Sequence, residues 1–402
     1  MLKETLLYYW DLFKPDLPRG RQKDQYRLFS QQRDYYDYNL LAVVILLTCF
    51  GLVMLYSTSA YEASVNFNND MFFFGKQAFI SVISVIAMIG ASQLDYHWYI
   101  SLSGCLYGVA IVLMVITGFV GTEVNGAKRW LALGPISFQP AEMAKLAVIL
   151  LVAYAISRGE GIMKGLKEPL RIGFIGFLAA LVAFVFTKNL STAIIIAGIC
   201  FFLLFLVYKD YKPFLVIMGA GLAAVILFVI LVVPKVTADT TSFRLRRIMV
   251  WRDPEAFLDE GGYQVMQGLY AIGSGGFFGK GLGNSTQKLG AVPEAQNDMI
   301  FSIICEELGV CGAIMVVLLF AFLLYRLLFI ARNAPDLLGA MIASGVFIHI
   351  SLQVLLNIAV VTNFIPTTGI TLPFVSYGGS SIIFLMAEMT VVLSVSKQIS
   401  LK

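Results

Sequence analysis

The sequence predicts an all-α, polytopic membrane protein of about ten transmembrane helices, with a large extracellular loop between the seventh and the eighth. Three observations carry that prediction. The 402 residues are 58% hydrophobic and only 13% charged, about half the charge of an ordinary soluble domain. Apolar runs of about 20 residues, the length that spans a bilayer core, recur along the chain. The runs are continuous rather than alternating, which excludes a transmembrane β-barrel.

The spans fall at roughly 40–60, 73–92, 99–119, 141–156, 171–186, 190–207, 213–233, 299–325, 337–358 and 377–396. The fourth and fifth are short, as tilted or neighbour-shielded helices are. No cleavable leader is visible. A mostly polar segment, 1–39, precedes the first span, which then serves as the insertion signal. Lys and Arg placement sets the orientation. Seven lie before the first span (Lys3, Lys14, Arg19, Arg21, Lys23, Arg27, Arg33), and ten more lie in the even-numbered connections and at the C-terminus. That side is assigned to the cytoplasm, with both termini. Seven of the remaining twelve lie in 234–298, and long loops translocate largely regardless of charge. The N-terminal segment, with Tyr8, Tyr9, Trp10, Tyr35, Tyr36 and Tyr38, suits a cytoplasmic docking element or an interfacial helix.

Five cysteines (Cys49, Cys105, Cys200, Cys305, Cys311) sit in or near apolar segments without C-x-x-C spacing and read as small core residues. Two histidines are too few for a histidine metal site. No fixed-period repeat supports an inverted-repeat transporter.

Three outward connections, 120–140, 234–298 and 359–376, are rich in Gly, Pro and polar groups. Irregular backbone near membrane depth persists where protein buries it or where it lines a wet cavity, so the three segments suggest one shared outward cavity. In the first, Lys128 and Arg129 suit either interfacial snorkelling or an anion site for a phosphate or diphosphate. Glu142 and Lys145 share one helix face three residues apart. In the second, the clusters at 261–264, 272–276 and 279–285 suit a re-entrant turn or close approach to a ligand. They lack the strand and spacing of a phosphate loop. Pro293 and Glu294 suit a helix start, with Asp298 one turn later on the same face. Two carboxylates this close at a dry interface raise one pKa toward neutrality, as a general base requires. A solvated helix-start acid is the alternative. Glu306 and Glu307 lie deeper, and read as paired inside the bundle. In the third, two prolines and small residues from Pro366 to Ser381 suit a tight helix start with exposed N–H groups aimed at the cavity, or a helix-packing turn.

The motifs N-G-A-K-R-W (125–130), F-Q-P-A-E (138–142), G-Y-Q (262–264), A-I-G-S-G-G (271–276), G-L-G-N-S-T-Q-K (281–288), P-E-A-x-x-D-x-I-F (293–301), E-E-L-G (306–309) and T-L-P-F-x-S-Y-G-G-S-S (371–381) occur in that order. In this the chain resembles the SEDS family (shape, elongation, division and sporulation), from about residue 40 to 397. The stretch 281–288 is more like the FtsW or SpoVE branch than RodA. The resemblance implies a ten-helix SEDS membrane domain. Its activity would be a peptidoglycan glycosyltransferase that polymerises lipid II at the outer face of the bacterial cytoplasmic membrane, in division and at the septum. Elongation and sporulation roles are the alternatives. It implies Asp298 as the catalytic base, and Lys128, Arg129, Glu142, Lys145, Glu294, Ser376 and Ser380 as substrate-binding residues. No cofactor is required, although a divalent cation (Mg or Mn) could assist at the diphosphate, and no protein metal site is expected. Lipid II, a class B penicillin-binding transpeptidase and other divisome membrane proteins are the implied partners, with no nucleic acid. A lipid II flippase and a non-catalytic scaffold recruiting a transpeptidase are the competing function classes. The sequence departs from the family at Thr187-Lys188-Asn189-Leu190-Ser191-Thr192, where the usual motif is Q-P-D-L-[GS]-T, and at Gln296-Asn297, where His-Thr is usual.

Overall fold

The computed structural model describes residues 35–124, 127–133, 136–159, 167–231, 243–289 and 292–400. Most of the N-terminal segment, with the docking role read into it, lies outside them, as do Asn125, Gly126, Gly134 and Pro135.

Ten helices among the described residues are long and apolar enough to cross a membrane, matching the ten spans. They are α1 (Tyr38–Phe67), α2 (Phe72–Ala91), α4 (Ser103–Val120), α5 (Pro140–Arg158), α6 (Lys167–Val185), α7 (Leu190–Val207), α8 (Lys212–Leu231), α11 (Ile300–Asn333), α12 (Leu337–Val361) and α13 (Gly379–Lys397), with a short α3 (Tyr96–Ser101) ahead of α4. Their starts are chemically marked. Asp37 caps α1 by accepting from Leu40 N at 2.9 Å, Asp336 caps α12 by accepting from Gly339 N at 2.7 Å, and Pro140 opens α5, where its missing N–H costs nothing. α5 is the hub. It packs on α4, α6, α7, α12 and α13, and 78% of its membrane window is buried, against 6% for α8. The shielding expected of the short fourth span is therefore present; the fifth is one-third buried. Three of the cysteines, Cys49, Cys105 and Cys311, lie on the outer helix surfaces rather than in the core, and all five are free.

The connections hold more regular structure than the sequence suggests. Three strands form an antiparallel sheet in the order β1 (Thr122–Val124), β2 (Ala127–Leu133), β3 (Ile136–Phe138). The large loop contains α9 (Phe243–Arg252) and α10 (Gly262–Ser274).

The loop is stitched into α11 at a break. Gly309 has φ 67° and ψ −164°, so the helix is interrupted there. A continuous helix would bond Val310 N to Glu306 O and Cys311 N to Glu307 O. Both bonds are replaced by the loop. Lys280 N and Gly281 N donate to the Glu306 and Glu307 carbonyls at 2.9 Å, and Val310 N and Cys311 N donate to Gly276 O and Phe277 O at 3.0 and 3.1 Å. All four backbone groups are satisfied, as burial demands. The approach is close enough to require glycine. A Cβ on Gly279, itself at φ +78°, would sit 2.2 Å from Glu307 O, and one on Gly275 would sit 1.9 Å from Cys305 O.

Candidate functional site

The three irregular segments do enclose one cavity, of ≈ 330 Å³. The wall from β2 and α5 carries Arg129, Trp130, Glu142 and Lys145. The large loop contributes Arg247, Gln264, Glu294, Asn297 and Asp298, and the segment before α13 together with the first turn of α13 contributes Tyr377, Gly378, Gly379 and Ser381. Lys76 of α2, Asn189 at the head of α7 and Gln353 of α12 also line it. Four cations and three carboxylates thus face one space.

Asp298 sits just before α11, half-buried. Its backbone carbonyl accepts from Asn357 Nδ2 at 3.0 Å, which fixes the chain there. Its carboxylate has one modest side-chain donor, Gln264 Nε2 at 3.5 Å from Oδ1, beside its own backbone N–H. Burial pushes its pKa up to about 7, the Glu294 carboxylate adds to the rise, and Arg247 opposes it. Desolvation and a like charge both disfavour the anion, so this carboxylate titrates where a general base works best. The pairing of Asp298 with Glu294 read from the sequence is therefore present, but not by helix geometry. Residues 293–299 are turns, α11 begins at Ile300, and Glu294 has φ +56°. The Asn297 amide bonds the Glu294 carboxylate, holding it in the turn.

Lys145 is embedded in the opposite wall. Its ammonium bonds Glu142 Oε1 at 2.9 Å and Gln353 Oε1 at 3.0 Å. Ser381 Oγ donates to Glu142 Oε2 at 3.0 Å. Among the described residues, two acceptors serve three N–H bonds, which leaves one for a ligand. Arg129 reaches the same space, with Nη2 donating to Lys188 O at 3.3 Å.

Three other sequence-predicted residues lie outside the lining. Lys128 Nζ donates to Phe119 O at 2.9 Å at the end of α4, a helix-end anchor rather than a cavity cation. Ser376 Oγ accepts from Leu372 N at 2.8 Å, and Ser380 Oγ accepts from Gln139 N at 3.3 Å. Both hydroxyls brace backbone, and Ser381 is the serine that meets the cavity. Glu306 and Glu307 are paired inside the fold, each with a loop lysine: Lys280 Nζ at 2.6 Å and Lys288 Nζ at 2.7 Å. Lys76, Arg247 and Gln353 were not singled out from the sequence, and Gln264 was named only within the G-Y-Q motif, without a site role. Arg247 and Gln264 could have been flagged as polar groups in a loop expected to line a cavity, and Gln353 as an amide inside an apolar span.

The family departure at 187–192 has a local account. Asn189 caps α7 by accepting from Thr192 N at 3.1 Å, a task aspartate performs equally. Lys188 has φ +48°, a value closed to proline.

Among the described residues no three His, Cys, Asp or Glu side chains gather as a metal site.

Residues 37–401 match the family described as "Cell cycle protein" (FTSW_RODA_SPOVE). The chain is 38% identical over 368 residues to "Stage V sporulation protein E" of Bacillus subtilis (strain 168), covering 90% of this chain and 97% of that one. It is 35% identical over 369 residues to a "Probable peptidoglycan glycosyltransferase FtsW" of Geobacter sp. (strain M18), covering 90% and 96%. A chain from a structure described as "Structural coordination of polymerization and crosslinking by a peptidoglycan synthase complex" superposes with TM-score 0.72 at 26% identity, covering 91% of this chain and 99% of that one. The Thermus thermophilus rod shape determining protein RodA shares the fold, with TM-score 0.65 at 24% identity over 91% and 98%.

Proposed function

The chain belongs to the FtsW/RodA/SpoVE family, and on that premise we propose that it is a peptidoglycan glycosyltransferase that polymerises lipid II at the outer face of the cytoplasmic membrane. The observation that carries the reading is Asp298, a carboxylate titrating at about 7 and lining one cavity with Lys76, Arg129, Lys145 and Arg247. A base beside fixed positive charge is what transfer from a diphosphate-linked sugar needs.

In this mechanism the 4-hydroxyl of the acceptor sugar attacks the anomeric carbon of the donor. Asp298 takes the hydroxyl proton as the new C–O bond forms. The bond to the diphosphate breaks on the opposite face, and the diphosphate leaves with the electron pair, so the anomeric centre inverts. General-base help is worth about 100- to 10,000-fold. The preorganised cations, Lys145 and Arg129 foremost, stabilise the charge developing on the leaving group. A divalent cation at this step would be held mainly by diphosphate oxygens with Glu294, adding neutralisation of the same charge.

Several finer readings belong to the proposal. Both termini are cytoplasmic, as the Lys/Arg asymmetry predicts. The crosslinking partner is a class B penicillin-binding transpeptidase, on the analogy of the related chain in the synthase complex. The role is in division, at the septum with other divisome proteins; relatives carry both FtsW and sporulation names.

The test is polymerisation of lipid II by the purified full-length protein with its transpeptidase, the transpeptidase serine disabled. Wild type forms strands and Asp298→Asn does not. Strands at the wild-type rate from Asp298→Asn would remove it as the base. Lipid II translocation by the protein alone, indifferent to Asp298, would make it a flippase. Full complementation of growth by Asp298→Asn would make it a scaffold.

A further inference from the structure

The mechanism above leaves unused a second titratable pair, deep in the bundle. His349 of α12 and Glu388 of α13 are each 1% exposed, with His349 Nδ1 2.8 Å from Glu388 Oε2. Ionisable residues at this depth are costly to hold and mark function by default. The other ring nitrogen, Nε2, lies 2.9 Å from Gln353 Oε1, the oxygen that also meets Lys145 Nζ.

Donor and acceptor roles follow from the contacts. Gln353 Nε2 donates to Thr371 O at 3.0 Å. Turning the amide over would set donor against donor at Lys145 and acceptor against acceptor at Thr371, so Oε1 faces Lys145 and His349. An amide oxygen only accepts, and His349 Nε2 therefore carries a hydrogen. That leaves two arrangements for the pair: imidazolium with carboxylate, or neutral imidazole accepting at Nδ1 from a carboxylic acid. In both, one proton lies between Nδ1 and Oε2, the pair is neutral overall, and Nε2–H points at Gln353.

We propose that His349 and Glu388 are positioning residues that act through Gln353 to hold the Lys145 ammonium at the cavity wall, ready for the anionic leaving group. Lysine carries three donors on a flexible stem, so its direction is set by its acceptors. Gln353 Oε1 is locked by a second donor, and that donor is oriented by Glu388. The inference rests on the glycosyltransferase reading and describes how its anion site is built.

The test is binding of a polyprenyl diphosphate to the purified full-length protein in detergent, read without turnover. Glu388→Leu and His349→Leu are expected to weaken binding about ten-fold, the scale of one hydrogen bond to a charged group. Glu388→Gln recovers most of that loss, because its amide can donate to Nδ1 and leave Nε2–H on Gln353. In a Lys145→Met background, Glu388→Leu adds nothing. A packing role predicts no such order, with leucine, close to glutamate in volume, tolerated as well as glutamine. Glu388→Met carries the same test should the leucine variant fail to fold. Binding within about two-fold of wild type in Glu388→Leu, or an effect that persists without Lys145, overturns the proposal. With Asp298→Asn inactive, such a result sinks the positioning role alone. Wild-type polymerisation by Asp298→Asn sinks the functional reading instead.

Discussion

Asp298 and Glu306 are two carboxylates at the same end of α11, and their surroundings are opposite. Glu306 is fully buried and saturated with donors: Lys280 Nζ at 2.6 Å, Thr286 N at 3.2 Å, Thr286 Oγ1 at 3.0 Å and the Ser285 hydroxyl. Asp298 has one weak side-chain donor and a carboxylate neighbour. A charge with every lone pair served is fixed and structural. A charge denied partners keeps its proton near neutrality and is available to move it. The difference locates chemistry more sharply than either residue's position in the sequence.

The comparison can be broken most directly at Asp298. Asp298→Asn is expected to lower strand formation about 100- to 10,000-fold while the protein still folds, measured on lipid II. In the wild type the rate should fall about ten-fold per pH unit below about 7 and level off above it, since only the ionised carboxylate accepts the proton. Glu306→Leu should act on the other side of the comparison. It strands Lys280 and the loop donors, and thermal unfolding in detergent should show a loss of about 3 kcal/mol, with activity falling only as folded protein is lost. Lys188→Pro, which restores the family's usual residue, should cost about 3 kcal/mol, because proline cannot adopt φ +48°. A smaller effect has a definite sign. An acid whose pKa is raised on folding weakens the fold as pH climbs from its unfolded value, about 3.9, to its folded value, about 7. Asp298→Asn should therefore gain stability over wild type as pH rises from about 4 to about 7, and the gain should vanish near pH 4. Asn189→Asp should change stability by less than about 0.5 kcal/mol, because both residues cap α7.

Much of the bundle was legible in the sequence, because membrane spans declare themselves by length and apolarity alone. Hydrophobicity did not say which spans are buried. α8 is almost wholly exposed and α5 almost wholly enclosed, since lipid is as apolar as a protein core. The cavity was legible from its three polar segments, and Asp298 from a carboxylate at a membrane boundary. The turn at 293–299 was not, because Pro-Glu ahead of an apolar run is an ordinary helix start. Only long-range contacts, such as Asn357 holding the Asp298 carbonyl, make it otherwise. Ser376 and Ser380 were misplaced for a related reason. A small-residue run shows that backbone comes close, not which hydroxyl faces the opening. His349 and Glu388 were visible as polar residues in apolar spans, but their partnership joins separate helices and leaves no spacing to read.

The seam between residues 276–281 and the break at Gly309 also bears on how the chain is made. Membrane helices enter the bilayer in order of synthesis, and an unbonded carbonyl in hydrocarbon is costly. The strip that serves Glu306, Glu307, Val310 and Cys311 is translated before them. The broken helix therefore never waits for a later segment of the chain to supply its missing partners.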